Sequence, residues 1–92
     1  MKAIVIKGDK ITPQDIENSI DKVQYVKLGK KIMVCHITLC NKHEVTGQAG
    51  VVDPLLFDQA IGEKISYSRA VDEVYKHLGS VFQNQIALEF GN

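Results

Sequence analysis

The stretch Ile32–Phe57, IMVCHITLCNKHEVTGQAGVVDPLLF, decides the fold. Ile32, Val34, His36 and Thr38 alternate with Met33, Cys35, Ile37 and Leu39, the period-two pattern of a strand with two differently packed faces. Apolar groups stand on both sides, which predicts a central strand. Cys40, Asn41 and Lys42 break the run, and His43 to Val52 resumes as a β-branched, Gly-interrupted strand, so the two form a hairpin. Asp53-Pro54 then signals a helix, with Asp53 as cap and Pro54 at the first position. Phe57, Ile61, Ile65, Val71, Val74 and Leu78 give its apolar stripe, from Pro54 or Asp58 to His77, and Gly79 reads as the stop. Gly62 inside that helix costs about 1 kcal/mol against alanine. Close packing against the sheet or a second subunit would account for it.

Upstream of the hairpin, Val23–Leu28 reads as a third strand and Gly29-Lys30-Lys31 as the turn after it. Its inward set is either Val23, Tyr25 and Lys27 or Gln24, Val26 and Leu28; the second leaves Lys27 in water and is preferred. Thr12-Pro13-Gln14-Asp15 starts a short helix running to Asp21, with Ile16, Ile20 and Val23 on one stripe. Lys2–Lys7 suggests a short edge strand ending at the Gly8-Asp9 turn, whereas Ser80–Glu89 fits a final strand or a helical turn equally. The whole predicts an α+β fold: a small antiparallel meander of three to four strands packed with one short N-terminal helix and one long helix, in a single domain over residues 1–92.

Bulk properties narrow the function. A chain of 92 residues buries roughly 60–65% of its unfolded surface, enough for one modest core. Eleven basic and eleven acidic side chains cancel, so no global field draws the protein to DNA or an anionic membrane. No apolar run approaches the roughly 18–20 residues of a membrane span, and MKAIVIKGDK lacks a secretory h-region. A cytoplasmic protein is the expectation. Cys35 and Cys40 are too few for a disulfide framework and should stay thiols.

ITPQDIENSI (Ile11–Ile20) and the ordered set Thr38-Leu39, Asn41, Val45-Thr46-Gly47, Gln48-Ala49-Gly50, Asp53-Pro54, Phe57-Asp58 and Ile61-Gly62-Glu63-Lys64-Ile65 resemble the small phage protein family of gene products 49 and 66. The likeness spans Ile11 to Gln83. Lys42 stands where that pattern has the turn glycine, His43 where it has an aromatic, Tyr75 where tryptophan is common, and the segment after Gly79 departs from the usual ending. Lys42 tolerates a left-handed turn poorly, so the turn type is open.

The resemblance implies similarity to the type-one Thoeris anti-defence proteins. Those are sponges that bind a cyclic ADP-ribose variant, and in some members cyclic oligonucleotides, without cleaving them. It further implies a homo-oligomer, dimer or hexamer, with the cyclic nucleotide at subunit interfaces, and neither an enzyme nor a cofactor. Such a sponge needs a flat or apolar face for the base and cations or N–H groups for phosphate.

Candidate ligand-binding residues follow. Arg69, the sole arginine, has the planar fork suited to phosphate, with Lys64 roughly 140° away around the helix; a solvated pairing of Arg69 with Asp72 or Glu73 is the alternative. Phe57 follows the Asp-Pro helix start, although phenylalanine there is more often core. Phe82, Gln83, Asn84 and Gln85 combine an aromatic with amides suited to a base edge, or form a polar tail. His43 and His36, as cross-strand neighbours, could donate to phosphate.

Cys35, His36, Cys40 and His43 have the chemistry of zinc ligands, but Cys35 and His36 point to opposite strand faces, so no metal is expected. Cys35 suits the core. Gly47-Gln48-Ala49-Gly50 lies in a strand, where small residues mark a bulge or close backbone approach. No nucleophile elbow, Gly-rich phosphate loop or paired-carboxylate signature is present. The rival reading is a protein-interaction module that docks on a host protein through the N-terminal edge or the C-terminal tail.

Overall fold

The computed structural model describes residues 4–6, 8, 10–51 and 58–90. Five elements follow one another: α1 (Pro13–Ser19), β1 (Ile20–Leu28), β2 (Ile32–Leu39), β3 (Glu44–Gly50) and α2 (Gln59–Phe90). The strands form one antiparallel sheet in the order β1-β2-β3. This is the α+β arrangement expected, with β2 central.

Thr12 and Asp15 start α1 by a reciprocal cap. The Thr12 hydroxyl accepts from the Asp15 N–H at 3.2 Å, and the Asp15 carboxylate accepts from the Thr12 N–H at 2.8 Å. The helix ends at Ser19 rather than Asp21. Ser19 turns its hydroxyl back onto the Ile16 carbonyl, and Ile20 is already extended. Ile20 and Val23 therefore belong to β1, and of the expected stripe only Ile16 is a buried helix residue.

Between β2 and β3, Lys42 adopts the left-handed conformation, φ 74°. The Leu39 carbonyl accepts from the Lys42 N–H at 2.9 Å, and the Leu39 N–H donates to the His43 carbonyl at 2.8 Å. These bonds close a three-residue hairpin loop whose last residue is left-handed, a place that glycine usually takes. Asn41 Oδ1 adds an acceptor for the His43 N–H at 3.0 Å. The turn keeps the left-handed form despite its lysine.

Met33, Cys35, Ile37 and Leu39 of β2, with Val45, Gly47 and Ala49 of β3, make the buried side of the sheet. Helix α2 lies across β2 and β3 on that side. Its buried stripe is Gly62, Ser66, Ala70, Val74 and Leu78, not the line through Ile61 and Ile65, both of which are exposed. Close approach explains the rotation. A Cβ on Gly47 would collide with the main chain of Ser66 and Ala70, so small residues face each other where strand and helix touch.

In β1, Val23, Tyr25 and Lys27 stand opposite Ile37, Cys35 and Met33, hence on the helix side of the sheet, the reverse of the predicted set. Burial does not choose between the faces there, because residues 21–28 are exposed on both.

Gly79 does not stop α2, which continues to Phe90 and makes the tail helical. The extension is held by the N-terminal segment. Gln85 Oε1 accepts from the Ile6 N–H at 3.1 Å while Gln85 Nε2 donates to the Ile6 carbonyl at 2.8 Å. Ile6, Ile16 and Leu78 are buried in the core, with Ile4, Ile11 and Phe82 packed against it. Over the described Ile4–Ile6 the chain is not a strand, contrary to the expected N-terminal edge. The Asp53-Pro54 cap and Phe57 lie outside the described residues. Asp58 Oδ1 accepts from the Ile61 N–H at 3.1 Å, at the start of α2. No described helix is long and apolar enough to cross a membrane.

Candidate functional site

The side of α2 that overhangs the outer edge of β3 carries Ile65, Arg69, Glu73 and His77, one turn apart. These residues and β3 form a seam with three features. Near the start of α2, Ala49, Gly50, Val51, Asp58, Ile61, Gly62 and Ile65 line a small apolar cavity of about 60 Å³. Midway, Arg69 Nη1 donates to the Gln48 carbonyl at 2.7 Å. Beyond it an open cleft of about 420 Å³ is lined by His43, Glu44, Val45, Thr46, Glu73, Lys76 and His77.

One wall of the cleft is a pair of imidazoles. The rings of His43 and His77 stack with centroids 3.7 Å apart and planes 4° from parallel. Asn41 Nδ2 donates to His77 Nε2 at 3.1 Å, a bond that needs an unprotonated ring nitrogen. Burial, and then the neighbouring His43, push the His77 pKa below its ordinary value. Both acids in the cleft have a partner. Glu44 Oε1 lies 2.7 Å from His36 Nε2, and Glu73 lies 3.4 Å from Lys76 Nζ.

The residues predicted for a ligand separate. Arg69 is on the seam, bonded to a main-chain carbonyl and not to Asp72 or Glu73. That bond uses one of the five N–H donors of its guanidinium. Lys64 sits with Ser68 and Asp72 on the solvent face of α2, away from the cleft. His43 lines the cleft, but its neighbour is His77 and not His36, which pairs across the sheet with Thr46. Phe82 to Gln85 do not make one surface, since consecutive helical residues point about 100° apart. Phe82 packs on the core, Gln85 is bonded to Ile6, and Gln83 and Asn84 face solvent. Cys35 is fully buried, with its thiol pKa raised by burial, while His36 lies on the other face of β2. Among the described residues no three His, Cys, Asp or Glu side chains converge as metal ligands do.

Sequence reasoning missed His77, Lys76 and Thr46. Nothing local links His43 to His77; only the path of α2 over β3 brings them together. The one available signal was the i, i+4, i+8 line Arg69, Glu73, His77.

A three-stranded meander under one long helix, with a polar cleft along the strand-helix seam, defines a small α+β protein. The chain belongs to the phage protein (N4 Gp49/phage Sf6 gene 66) family, whose model matches residues 11–86. No curated protein and no solved structure matches the chain.

Proposed function

We propose that this phage protein binds a cyclic nucleotide of host immune signalling, of the cyclic ADP-ribose or cyclic oligonucleotide kind, and holds it intact between copies of itself. Family membership supports the phage setting. The observation that carries the ligand class is the flat His43–His77 pair in a cleft with Lys76, about two turns along α2 from Arg69. An imidazole pair offers a stacking wall for a base, and the ammonium and guanidinium offer charge-assisted bonds to phosphate. The cleft volume falls within the roughly 300–1,000 Å³ of small-molecule sites. Holding a ligand needs no nucleophile, and the reading assigns none.

Isothermal titration against cyclic ADP-ribose isomers and cyclic di- and trinucleotides tests this. Binding of one of them, weakened in His77→Ala and Arg69→Ala, with the intact nucleotide recovered after heating, supports it. Absence of heat with all of them removes it. The exposure of β1 on both faces favours a second reading, docking on a host protein. A stoichiometric host protein retained from lysate, together with silent titrations, would decide for that alternative.

A further inference from the structure

Asn41 stands in the loop between β2 and β3 and touches both members of the histidine wall. Its Oδ1 accepts from the His43 main-chain N–H at 3.0 Å, and its Nδ2 lies 3.1 Å from His77 Nε2. The first bond fixes the second. A main-chain N–H can only donate, so the amide oxygen must face His43 and the NH2 group must face the ring. That NH2 group can only donate in its turn, so His77 Nε2 has to be the acceptor. In a neutral imidazole the proton then sits on Nδ1. Among the described residues Nδ1 has no partner, and the ring belongs to the lining of the cleft.

The stack adds a second constraint. Parallel rings with centroids 3.7 Å apart set two titratable groups face to face, where two imidazolium charges would repel. Among the described residues, the charged groups that line the cleft beside the pair are Glu44 of β3 and Glu73 and Lys76 of α2. Neither acid is left over to offset that repulsion, since Glu44 is engaged by His36 and Glu73 by Lys76.

We propose that Asn41 is the positioning residue of this wall: its amide holds His77 uncharged with the proton on Nδ1, so the cleft offers a ligand a flat face and one in-plane ring N–H donor. The group that this donor serves is an acceptor lying beside the stack, such as a phosphate or ribose oxygen of a molecule whose base covers the rings. The positive charge of the cleft then belongs to Lys76, and the histidines supply shape and direction. The inference rests on the functional reading for the presence of such a ligand. The state of the ring does not, and it is measured on the chain without nucleotide.

Imidazole nitrogen-15 spectra of the full chain, with His36, His43 and His77 told apart by single replacement with glutamine, read the proton directly. At neutral pH they should show His77 with a protonated Nδ1 and a bare Nε2, the minor tautomer of free histidine. Asn41→Asp separates this role from that of the turn. The carboxylate keeps an oxygen for the His43 N–H but offers the ring an acceptor in place of a donor. Nε2 should therefore take up the proton, and the titration midpoint of His77 should rise by about 1 pH unit or more. A residue that only shaped the loop would leave tautomer and midpoint unmoved, because the loop bond survives the change. A proton on His77 Nε2 in the unaltered chain, or an Asn41→Asp midpoint no higher than the original, would overturn the proposal. The first of these needs no variant, so it decides even where Asn41→Asp folds poorly. Silent nucleotide titrations alongside the Nδ1 tautomer would remove the functional reading and leave the hold of Asn41 on the ring.

Discussion

At the scale of single residues, Lys42 and Gly47 show how position outweighs type. Left-handed backbone costs an L-residue about 1–2 kcal/mol, and glycine's greater freedom in the unfolded chain returns about 0.5–1 of it. Lys42→Gly is therefore expected to stabilise the fold by about 0.5–1 kcal/mol, read as a higher denaturation midpoint; an unchanged midpoint would mean that Lys42 is unstrained. Gly47→Ala should do the opposite. The new methyl meets helix backbone rather than a yielding side chain, so the loss should reach about 3 kcal/mol and Tm should fall by more than about 10 °C. The Asn41–Lys42 turn and the core place of Cys35 were legible in sequence. Gly47 was legible as a point of close approach, but not what approached it.

At the scale of elements, the sequence told most about starts and least about ends. Thr12, Pro13 and Asp15 announced α1 because a cap is a local device. The continuation of α2 past Gly79 could not be read the same way. Glycine ends a helix only where nothing else holds the next turns, and here Ile6 and the core beneath Phe82 hold them. Gln85→Ala should therefore release the N-terminal segment, with a loss of about 1–2 kcal/mol and faster hydrogen exchange at the Ile6 amide. Undiminished protection at Ile6 would show that the Gln85 amide is not what secures it. Val74 and Leu78 are buried as the expected stripe of α2 had them, but Ile61 and Ile65 were misread, for a related reason. Apolar bulk marks a buried face when helix and sheet stand at ordinary separation, and Gly62, Ser66 and Ala70 bring them closer than that.

For the molecule as a whole, the stacked histidines couple the β2–β3 hairpin to α2 and make stability depend on pH. The folded pKa of His77 is lowered, so the unfolded chain binds protons first as pH falls. The contribution is complete above the unfolded value of about 6.5 and is lost as pH drops through the lowered folded one. Denaturation midpoints should thus be level above neutrality and decline below it, and His77→Asn should flatten that decline. An equally steep decline in the variant would place the titration elsewhere. The fold class was legible because alternation and caps are local. The cleft was not, since it joins residues 43–46 to residues 73–77, which only the path of α2 beside β3 brings together.

The clasp between Ile6 and Gln85 also sets an order of events during synthesis. A ribosome delivers the N-terminal segment first, yet the side chain that clasps its main chain lies 79 positions later, and the hairpin is made long before the helix that roofs it. Neither the N-terminal segment nor the hairpin can take its final place until α2 has been made through Gln85.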